Sequence, residues 1–92
     1  MAIRWTITSL TDLESLHDYI SDDNPAAVGA TAESILAGIA ALGQHPEMGR
    51  MGRVRGTREL VIAPYVVAYR IHRKAIEIVA ILHGARRWPD RF

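Results

Sequence analysis

The sequence predicts an α+β fold with the element order β-α-α-β-β-β, in which a helical hairpin packs on one face of a small, mainly antiparallel sheet. Two observations lead to this prediction. Apolar residues recur at helical spacing through the first half of the chain, and they alternate with a period of two through most of the second half. The chain has 92 residues, 49% of them hydrophobic, so we expect a single domain over residues 1–92 with one core.

The first strand and the first helix are predicted at the start of the chain. Apolar and polar residues alternate over residues 3–8, as in a half-buried strand. We expect Thr11 or Ser9 to cap the helix that follows, because Glu14 stands three residues after Thr11, the spacing of a capping box. The apolar stripe of this helix comprises Leu13, Leu16, His17 and Ile20.

A second helix is predicted from Pro25 to about Leu42. Asn24 is a favourable N-cap, and proline at the first helical position loses no hydrogen bond. We expect Gly29 and Gly38 to mark close contact with the first helix, since each weakens the helix by about 1 kcal/mol relative to alanine. The predicted buried stripe comprises Val28, Ala32, Ile35, Ile39 and Leu42, with a contribution from Leu36.

Residues 44–56 are expected to form a flexible basic loop. Its three glycines alternate with Arg50, Arg53 and Arg55, and glycine allows a backbone to turn tightly or to approach a ligand. The pattern is not a nucleotide-binding fingerprint, because no Gly-Lys-Ser/Thr follows and no strand precedes it.

Three strands are predicted over residues 58–62, 65–72 and 75–83, with breaks at residues 63–64 and 73–74. The side chains expected to face the helices are Leu60, Ile62, Tyr65, Val67, Tyr69, Ile71, Ile76, Ile78, Ala80 and Leu82. Those expected on the opposite face are Glu59, Val61, Val66, Ala68, Arg70, His72, Glu77, Val79, Ile81 and His83. A two-residue turn at 73–74 would place Arg70 opposite Glu77 as an ion pair. The opposite face is apolar enough to predict a partner.

Charge is divided unevenly along the chain. Residues 1–45 hold one base against six acids, a net charge of −5, whereas residues 46–92 hold ten bases against four acids, a net charge of +6. Nine of those ten bases are arginine, which is suited to bidentate contact with phosphate or carboxylate. The alternative is that the acids cover the helices and the bases solubilise the strands.

Several classes of protein are disfavoured by composition. The chain has no cysteine, so disulfide and thiolate chemistry are excluded. No signal-peptide or membrane-length apolar run is present, which favours a cytoplasmic protein without membrane contact. We expect no cofactor and no metal, since His17 has no other ligand beside it at metal spacing.

The most informative stretch is residues 79–89. An apolar strand runs into His83, Gly84, Arg86, Arg87 and Trp88, although strand formation requires none of these polar groups. Imidazole and guanidinium groups at a strand end indicate an anion-facing edge.

Motifs along nearly the whole chain resemble those of toxins of the RelE/ParE superfamily. The resembling segments are Trp5, Asp12-Leu13, Tyr19-Ile20, Asn24-Pro25 and residues 45–50, 56–62, 64–70 and 81–89. The resemblance implies a RelE/ParE-like fold and the toxin half of a type II toxin–antitoxin pair, neutralised by a cognate antitoxin whose C-terminal segment wraps around it.

The resemblance leaves two mechanisms open. RelE-like members cut mRNA in the ribosomal A site, and in this chain Arg58, Arg70, Arg86 and Arg87 would then stabilise the phosphate. Glu59 or His83 would act as acid or base, each worth about 10²–10⁴ in rate. ParE-like members poison DNA gyrase and have no recognised catalytic group, so whether the chain is an enzyme depends on which mechanism applies.

Three features favour the ParE-like mechanism, which poisons gyrase. Lys74 is the only lysine, the terminal Tyr or His-Tyr of many RelE-like nucleases is missing, and the isoelectric point is only about 8.3. The residues expected to bind the target are Arg50, Arg53, Arg58, His83, Arg86, Arg87 and Trp88. The alternatives are a RelE-like mRNA endonuclease and a binding module without toxicity.

Overall fold

The computed structural model describes residues 1–23, 25–84 and 87–92, with residues 17–23 and 25–29 described by their backbone alone. The elements are β1 (Ala2–Trp5), α1 (Ile7–Asp23), α2 (Pro25–Leu42), β2 (Arg50–Met51), β3 (Arg58–Ile62), β4 (Tyr65–His72) and β5 (Ala75–His83). The α+β class and the three C-terminal strands are as predicted. In the described part of the chain, no helix has the length and apolar character needed to cross a bilayer.

The five strands form one sheet in the order β1-β5-β4-β3-β2. β1 pairs in parallel with β5, and the other three pairings are antiparallel, so the mainly antiparallel sheet is confirmed. β2 was not predicted, because its two residues carry no alternating pattern. It lies within the segment expected to be a loop and forms one edge of the sheet, while β1 forms the other.

α1 begins earlier than the sequence suggested. Its cap is Thr6, whose Oγ1 accepts a hydrogen bond from the backbone N–H of Ser9 (3.1 Å) and donates to carbonyls of β5 (2.9 and 3.1 Å). The prediction of Thr11 or Ser9 as the cap is therefore wrong. The predicted extension of the first strand to residue 8 is also wrong, and Ile7 is 85% exposed at the start of the helix.

α2 begins at Pro25 and ends at Leu42, as predicted. Ile35, Ile39 and Leu42 are buried as predicted, whereas Ala32 of the predicted stripe is only half-buried. Leu36 was expected to contribute, but it is 45% exposed. The predicted N-cap, Asn24, lies outside the described residues, as do the surroundings of Gly29 and the side chains of His17, Ile20 and Val28.

Gly38 lies against the sheet and not against α1. A Cβ atom at this position would lie 2.7 Å from Cδ1 of Ile62 and 3.1 Å from Cδ2 of Leu60, both on β3. The predicted close contact at Gly38 exists, but the prediction of α1 as its partner is wrong. The absence of a side chain at Gly38 allows α2 to pack closely against β3.

The main core lies between the helices and one face of the sheet, here called the helix face. Its buried members are Leu16, Ile35, Ile39, Leu42, Val67, Tyr69, Ile76, Ile78 and Ile81. Full burial of each aliphatic side chain contributes about 1.5–3 kcal/mol relative to exposure. Ile71 was expected in this core, but it is 41% exposed, near the end of β4.

A bulge in β5 changes which side chains share a face. Ala68 pairs with Ala80, but Tyr69 pairs with Ile78, so Val79 is an extra residue in β5. Beyond it the alternation reverses: Ile81 joins the helix-face core, whereas Ala80 packs with Ala68 on the other face. The predicted faces are therefore wrong for residues 80–83. An unbroken apolar run, residues 78–82, gives no sign of the bulge.

The turn between β4 and β5 is as predicted. Arg73 and Lys74 have φ values of 51° and 60°, which is the geometry of a two-residue hairpin turn. Arg70 consequently lies opposite Glu77, and its Nε donates to Oε1 of that residue (2.6 Å). The expected cross-strand ion pair is present.

The second face of the sheet, here called the outer face, is covered by the end of the same chain. Trp88 packs against the buried cluster of Ala68, Ala80 and Leu82. The expectation that this face is open and awaits a partner is therefore wrong for its central part, because the C-terminal segment shields the apolar residues from water.

Candidate functional site

The outer face carries a buried carboxylate between two arginines. Glu59, in β3, is 1% exposed and lies directly across from Arg50 in β2. Its Oε1 accepts from Nη2 of Arg50 (3.0 Å), and its Oε2 accepts from the backbone N–H of Arg53 (2.7 Å) and from Nε of Arg53 (3.2 Å). One carboxylate thus fixes two guanidinium groups. We call Arg50, Arg53, Glu59 and Trp88 the Glu59 cluster.

Glu59 is held in its ionised form. Burial raises the pKa of this carboxyl, but the backbone N–H of Arg53 and the guanidinium groups of Arg53 and Arg50 lower it by more, so the pKa lies below the ordinary value of 4.5. The carboxylate is therefore a constant anion at neutral pH, and the cluster as a whole carries a charge of +1.

Trp88 joins the C-terminal segment to this cluster. Cζ of Arg53 lies 3.8 Å from the centroid of the Trp88 ring, a cation–π contact, and Phe92 packs edge-on against the same ring at 6.3 Å. The Nε1 of Trp88 is buried and has no acceptor among the described residues. A cavity of about 440 Å³ lies beside Trp88, lined by Thr8, Asp12, Ala80, Leu82, Arg87, Trp88, Pro89 and Phe92.

A separate groove lies at the free end of β5, next to α1. The pairing of β5 with β1 ends at Ile78. Beyond that point, Asp12 Oδ2 accepts a hydrogen bond from the backbone N–H of Ile81 (3.0 Å) and so takes the place of a strand partner. Because of the bulge, His83 faces this groove and packs edge-on against Tyr65 at 5.5 Å. The groove has a volume of about 490 Å³ and is lined by Asp12, Ser15, Leu16, Pro64, Tyr65, Ile81 and His83.

Arg58 holds the segment before β2 in place. It lies on the helix face, opposite Tyr69, and its Nη1 donates to the carbonyl of Gly49 (2.8 Å). The buried hydroxyl of Tyr69 donates to the carbonyl of Pro46 (2.8 Å) and accepts from the N–H of Gly49 (2.9 Å). A Cβ at Gly49 would lie 2.6 Å from that hydroxyl, so this glycine permits contact with the chain itself and not with a ligand.

The structure brings together only part of the predicted site. Arg50, Arg53 and Trp88 meet around Glu59. Arg70 is paired with Glu77, while Arg58 and His83 lie on the helix face. Arg87 lines the cavity beside Trp88, and Arg86 lies outside the described residues. No three His, Asp or Glu side chains in the described part of the chain are close enough to hold a metal ion.

Sequence reasoning missed two supporting residues. Tyr69 was assigned only to the core, although its hydroxyl anchors residues 46–49, and Asp12 was noted only as part of a motif, although it caps the free edge of β5. The position of Asp12 near the N-terminus of a helix was the available signal, but its partner depends on the bulge, which the sequence conceals.

Solved structures show the class of protein that this fold defines. A chain from the chromosomal ParDE toxin–antitoxin system of P. aeruginosa has a TM-score of 0.82 and 25% identity, with 90% of this chain and 95% of the other covered. A chain from the RelBE2 toxin–antitoxin complex of Mycobacterium tuberculosis has a TM-score of 0.62 and 24% identity, with 89% and 95% covered. The fold is thus one found in toxin–antitoxin systems.

Sequence comparison identifies the family. Residues 3–88 match the family described as the ParE toxin of the type II toxin–antitoxin system parDE. Y4kP of Sinorhizobium fredii, a protein provisionally named a toxin, is 40% identical over 90 residues, which are 96% of this chain and 93% of that protein. The chain belongs to the ParE toxin family, and the resemblance to the RelE/ParE superfamily is confirmed.

Proposed function

We propose that this toxin inhibits growth by poisoning DNA gyrase and that a cognate antitoxin neutralises it. Membership of the ParE family supports the first part, and the likeness to chains from toxin–antitoxin complexes supports the second. Action on gyrase would require the toxin to reside in the cytoplasm.

The observation that carries the gyrase proposal is the separation of the acid and base candidates. Cleavage of RNA needs a base at the 2′-hydroxyl and an acid at the leaving oxygen, both within hydrogen-bond reach of one phosphate. Glu59 is buried on the outer face and bonded to two arginines, whereas His83 lies on the helix face. This arrangement favours an adhesive role for the arginines over catalysis.

The test is DNA cleavage by purified gyrase with and without the toxin. We expect the toxin to increase the amount of cleaved DNA that remains covalently attached to gyrase after denaturation. Absence of trapped cleavage, together with mRNA cuts on translating ribosomes, would transfer the assignment to a RelE-like endonuclease. Normal growth after induction without the antitoxin would indicate a non-toxic binding module.

Within this proposal, the target-binding surface is the exposed side of the Glu59 cluster together with Arg87. Arg50 and Arg53 keep 59% and 44% of their side-chain surface exposed. Charge reversal at Arg86 and Arg87 is expected to abolish toxicity and to leave antitoxin binding intact. Loss of both properties would instead make the pair structural or part of the antitoxin interface.

We place the antitoxin on α1 and the neighbouring sheet edge. Ile7 and Leu10 are 85% and 51% exposed and lie about one helical turn apart, so they present an uncovered apolar strip. An antitoxin segment would bury this strip and add a strand to an exposed sheet edge. The centre of the outer face is not chosen for the antitoxin, because the C-terminal segment already covers it.

Substitution of Ile7 and Leu10 by Asp tests this placement. Because each buried aliphatic side chain is worth about 1.5–3 kcal/mol, the double variant should weaken antitoxin binding at least tenfold in calorimetry. Val61→Asp is the matched control, since Val61 is 50% exposed on a different face of the molecule. Equal weakening by both variants would place the interface elsewhere.

A further inference from the structure

We propose that Arg50 and Arg53 form a phosphate clamp through which the toxin itself grips the DNA backbone. The assignment of DNA as the phosphate polymer rests on the proposed gyrase function, because gyrase is an enzyme that acts on DNA. The clamp itself is inferred from the geometry, exposure and charge of the Glu59 cluster.

Both guanidinium groups are anchored through the same edge. Arg50 donates to Oε1 of Glu59 from Nε (3.3 Å) and Nη2 (3.0 Å), and Arg53 donates to that oxygen from Nε (3.4 Å) and Nη2 (3.3 Å). Each group thus uses its Nε–Nη2 side for the buried carboxylate, while Nη1 is absent from these bonds. Because one oxygen holds both groups, the two forks are neighbours.

This anchoring prepares the arginines for a ligand. An arginine side chain normally loses about 2 kcal/mol of rotamer entropy when it is immobilised, and that cost has already been met in folding. Arg53 is further fixed by its contact with Trp88. Two prearranged, half-exposed guanidinium groups are stronger recognition elements than two mobile ones.

Charge and repetition favour a phosphate backbone as the outer acceptor. A phosphodiester backbone carries a negative charge at every nucleotide and presents oxygens in several directions, so it can meet two neighbouring guanidinium groups and continue to a third. One carboxylate, that of Glu59, is already bound on the buried side. The excess positive charge of the cluster therefore lies with its two half-exposed guanidinium groups, and Arg87 adds a further positive charge at the cavity beside Trp88.

The experiment measures binding of the toxin alone, without gyrase, to a short fluorescein-labelled DNA duplex by anisotropy over a range of salt concentrations. We expect non-specific binding with a Kd of about 10⁻⁴–10⁻⁶ M. The logarithm of the binding constant should fall with the logarithm of salt concentration by about 0.9 per phosphate contacted.

Arg50→Gln is the decisive variant, and Arg73→Gln is its control. Glu59 keeps its bonds to Arg53 in the first variant, and the control removes the same charge from the exposed β4–β5 turn. Arg50→Gln should lower the slope of log binding constant against log salt concentration by about 0.9. Between 50 and 200 mM salt, the variant should therefore lose about threefold less affinity than the unaltered toxin. Arg73→Gln should leave the slope unchanged.

A triple variant guards against effects of an unpaired carboxylate. Arg50→Gln, Arg53→Gln and Glu59→Gln together remove both guanidinium groups without leaving a buried charge, and the net charge again falls by one. The salt slope should fall by about 1.8, twice the effect of Arg50→Gln alone.

Three results would overturn the proposal: no binding of the unaltered toxin to DNA at low salt, equal effects of Arg50→Gln and Arg73→Gln, or tighter binding to a matched RNA duplex. The first two results would show that Arg50 and Arg53 do not bind the DNA backbone. The third would show that DNA is not the preferred ligand. Failure of gyrase poisoning with these DNA results intact would overturn the proposed function and leave the phosphate clamp standing.

Discussion

At the scale of single residues, Glu59 organises the outer face. It lies in β3 and links β2, the segment after it and, through Arg53, the indole of Trp88. A buried carboxylate with one partner is costly, but three donor groups compensate for its loss of water. Its principal role is therefore to position the arginines.

The stability contribution of Glu59 should depend on pH. Because its folded-state pKa is lower than the ordinary value of 4.5, its contribution is fully present above that value and is lost as the pH falls through the folded-state pKa. In urea denaturation, the free energy of unfolding should therefore decline below about pH 4.5.

Glu59→Gln is the matching substitution. It should lower the free energy of unfolding at pH 7 by about 1.5–3 kcal/mol, the range for hydrogen bonds to charged groups, and should make the decline in acid shallower. An unchanged acid profile in the variant would assign the pH dependence to other carboxyl groups.

Tyr69 makes a second prediction at this scale. Its ring is fully buried, and its hydroxyl satisfies both the carbonyl of Pro46 and the N–H of Gly49. Tyr69→Phe should lower the free energy of unfolding by about 1–3 kcal/mol, because both backbone groups lose their partner. Hydrogen exchange should show faster exchange at Gly49 and little change at Ile76, in the centre of the core.

At the scale of elements, the C-terminal segment acts as a strap over the sheet. Trp88 covers Ala68, Ala80 and Leu82, and the strap is held by Arg53 on one side of the indole and supported by Phe92. The same segment contributes Arg87 to the proposed target surface. The C-terminal segment thus has a structural contact through Trp88 and a proposed binding role through Arg87.

Trp88→Ala should expose the apolar centre of the outer face. We expect a loss of roughly 1–3 kcal/mol, below the usual cost of a fully buried Trp, and increased binding of a hydrophobic dye. Phe92→Ala is the control, since Phe92 is 40% exposed and packs edge-on against the indole that forms the cover. Equal dye binding by both variants would contradict a covering role specific to Trp88.

Elements differ in how far the sequence predicts them. The bounds of β3, β4, β5 and α2 follow from alternation, helical spacing and Pro25. β2 was not predicted because a strand of two residues is too short to show an alternation of apolar and polar side chains. The bulge at Val79 escapes because every residue around it is apolar, and this single insertion moves His83 to the helix face. The sequence therefore drew attention to Arg50 and Arg53 as candidates, but gave no indication of their bonds to Glu59.

At the scale of the whole molecule, the uneven charge along the chain becomes an uneven charge in space. The acidic first half forms β1 and the helices, and the basic second half forms the other four strands and the C-terminal segment. Such a distribution orients a small protein in the field of a charged partner. It is consistent with an anionic target at the sheet and a different partner on α1.

The parallel pairing of β1 with β5 also sets an order of events during synthesis. Ile3 pairs with Ile76, and Thr6 at the start of α1 donates to the carbonyls of Ile78 and Val79, so the first strand has no partner until β5 has left the ribosome. Contacts between such distant residues form slowly. Before β5 is available, neither β1 nor the β5-side edge of β4 has its strand partner. We therefore expect a truncated product ending before residue 75 to be unable to complete the sheet.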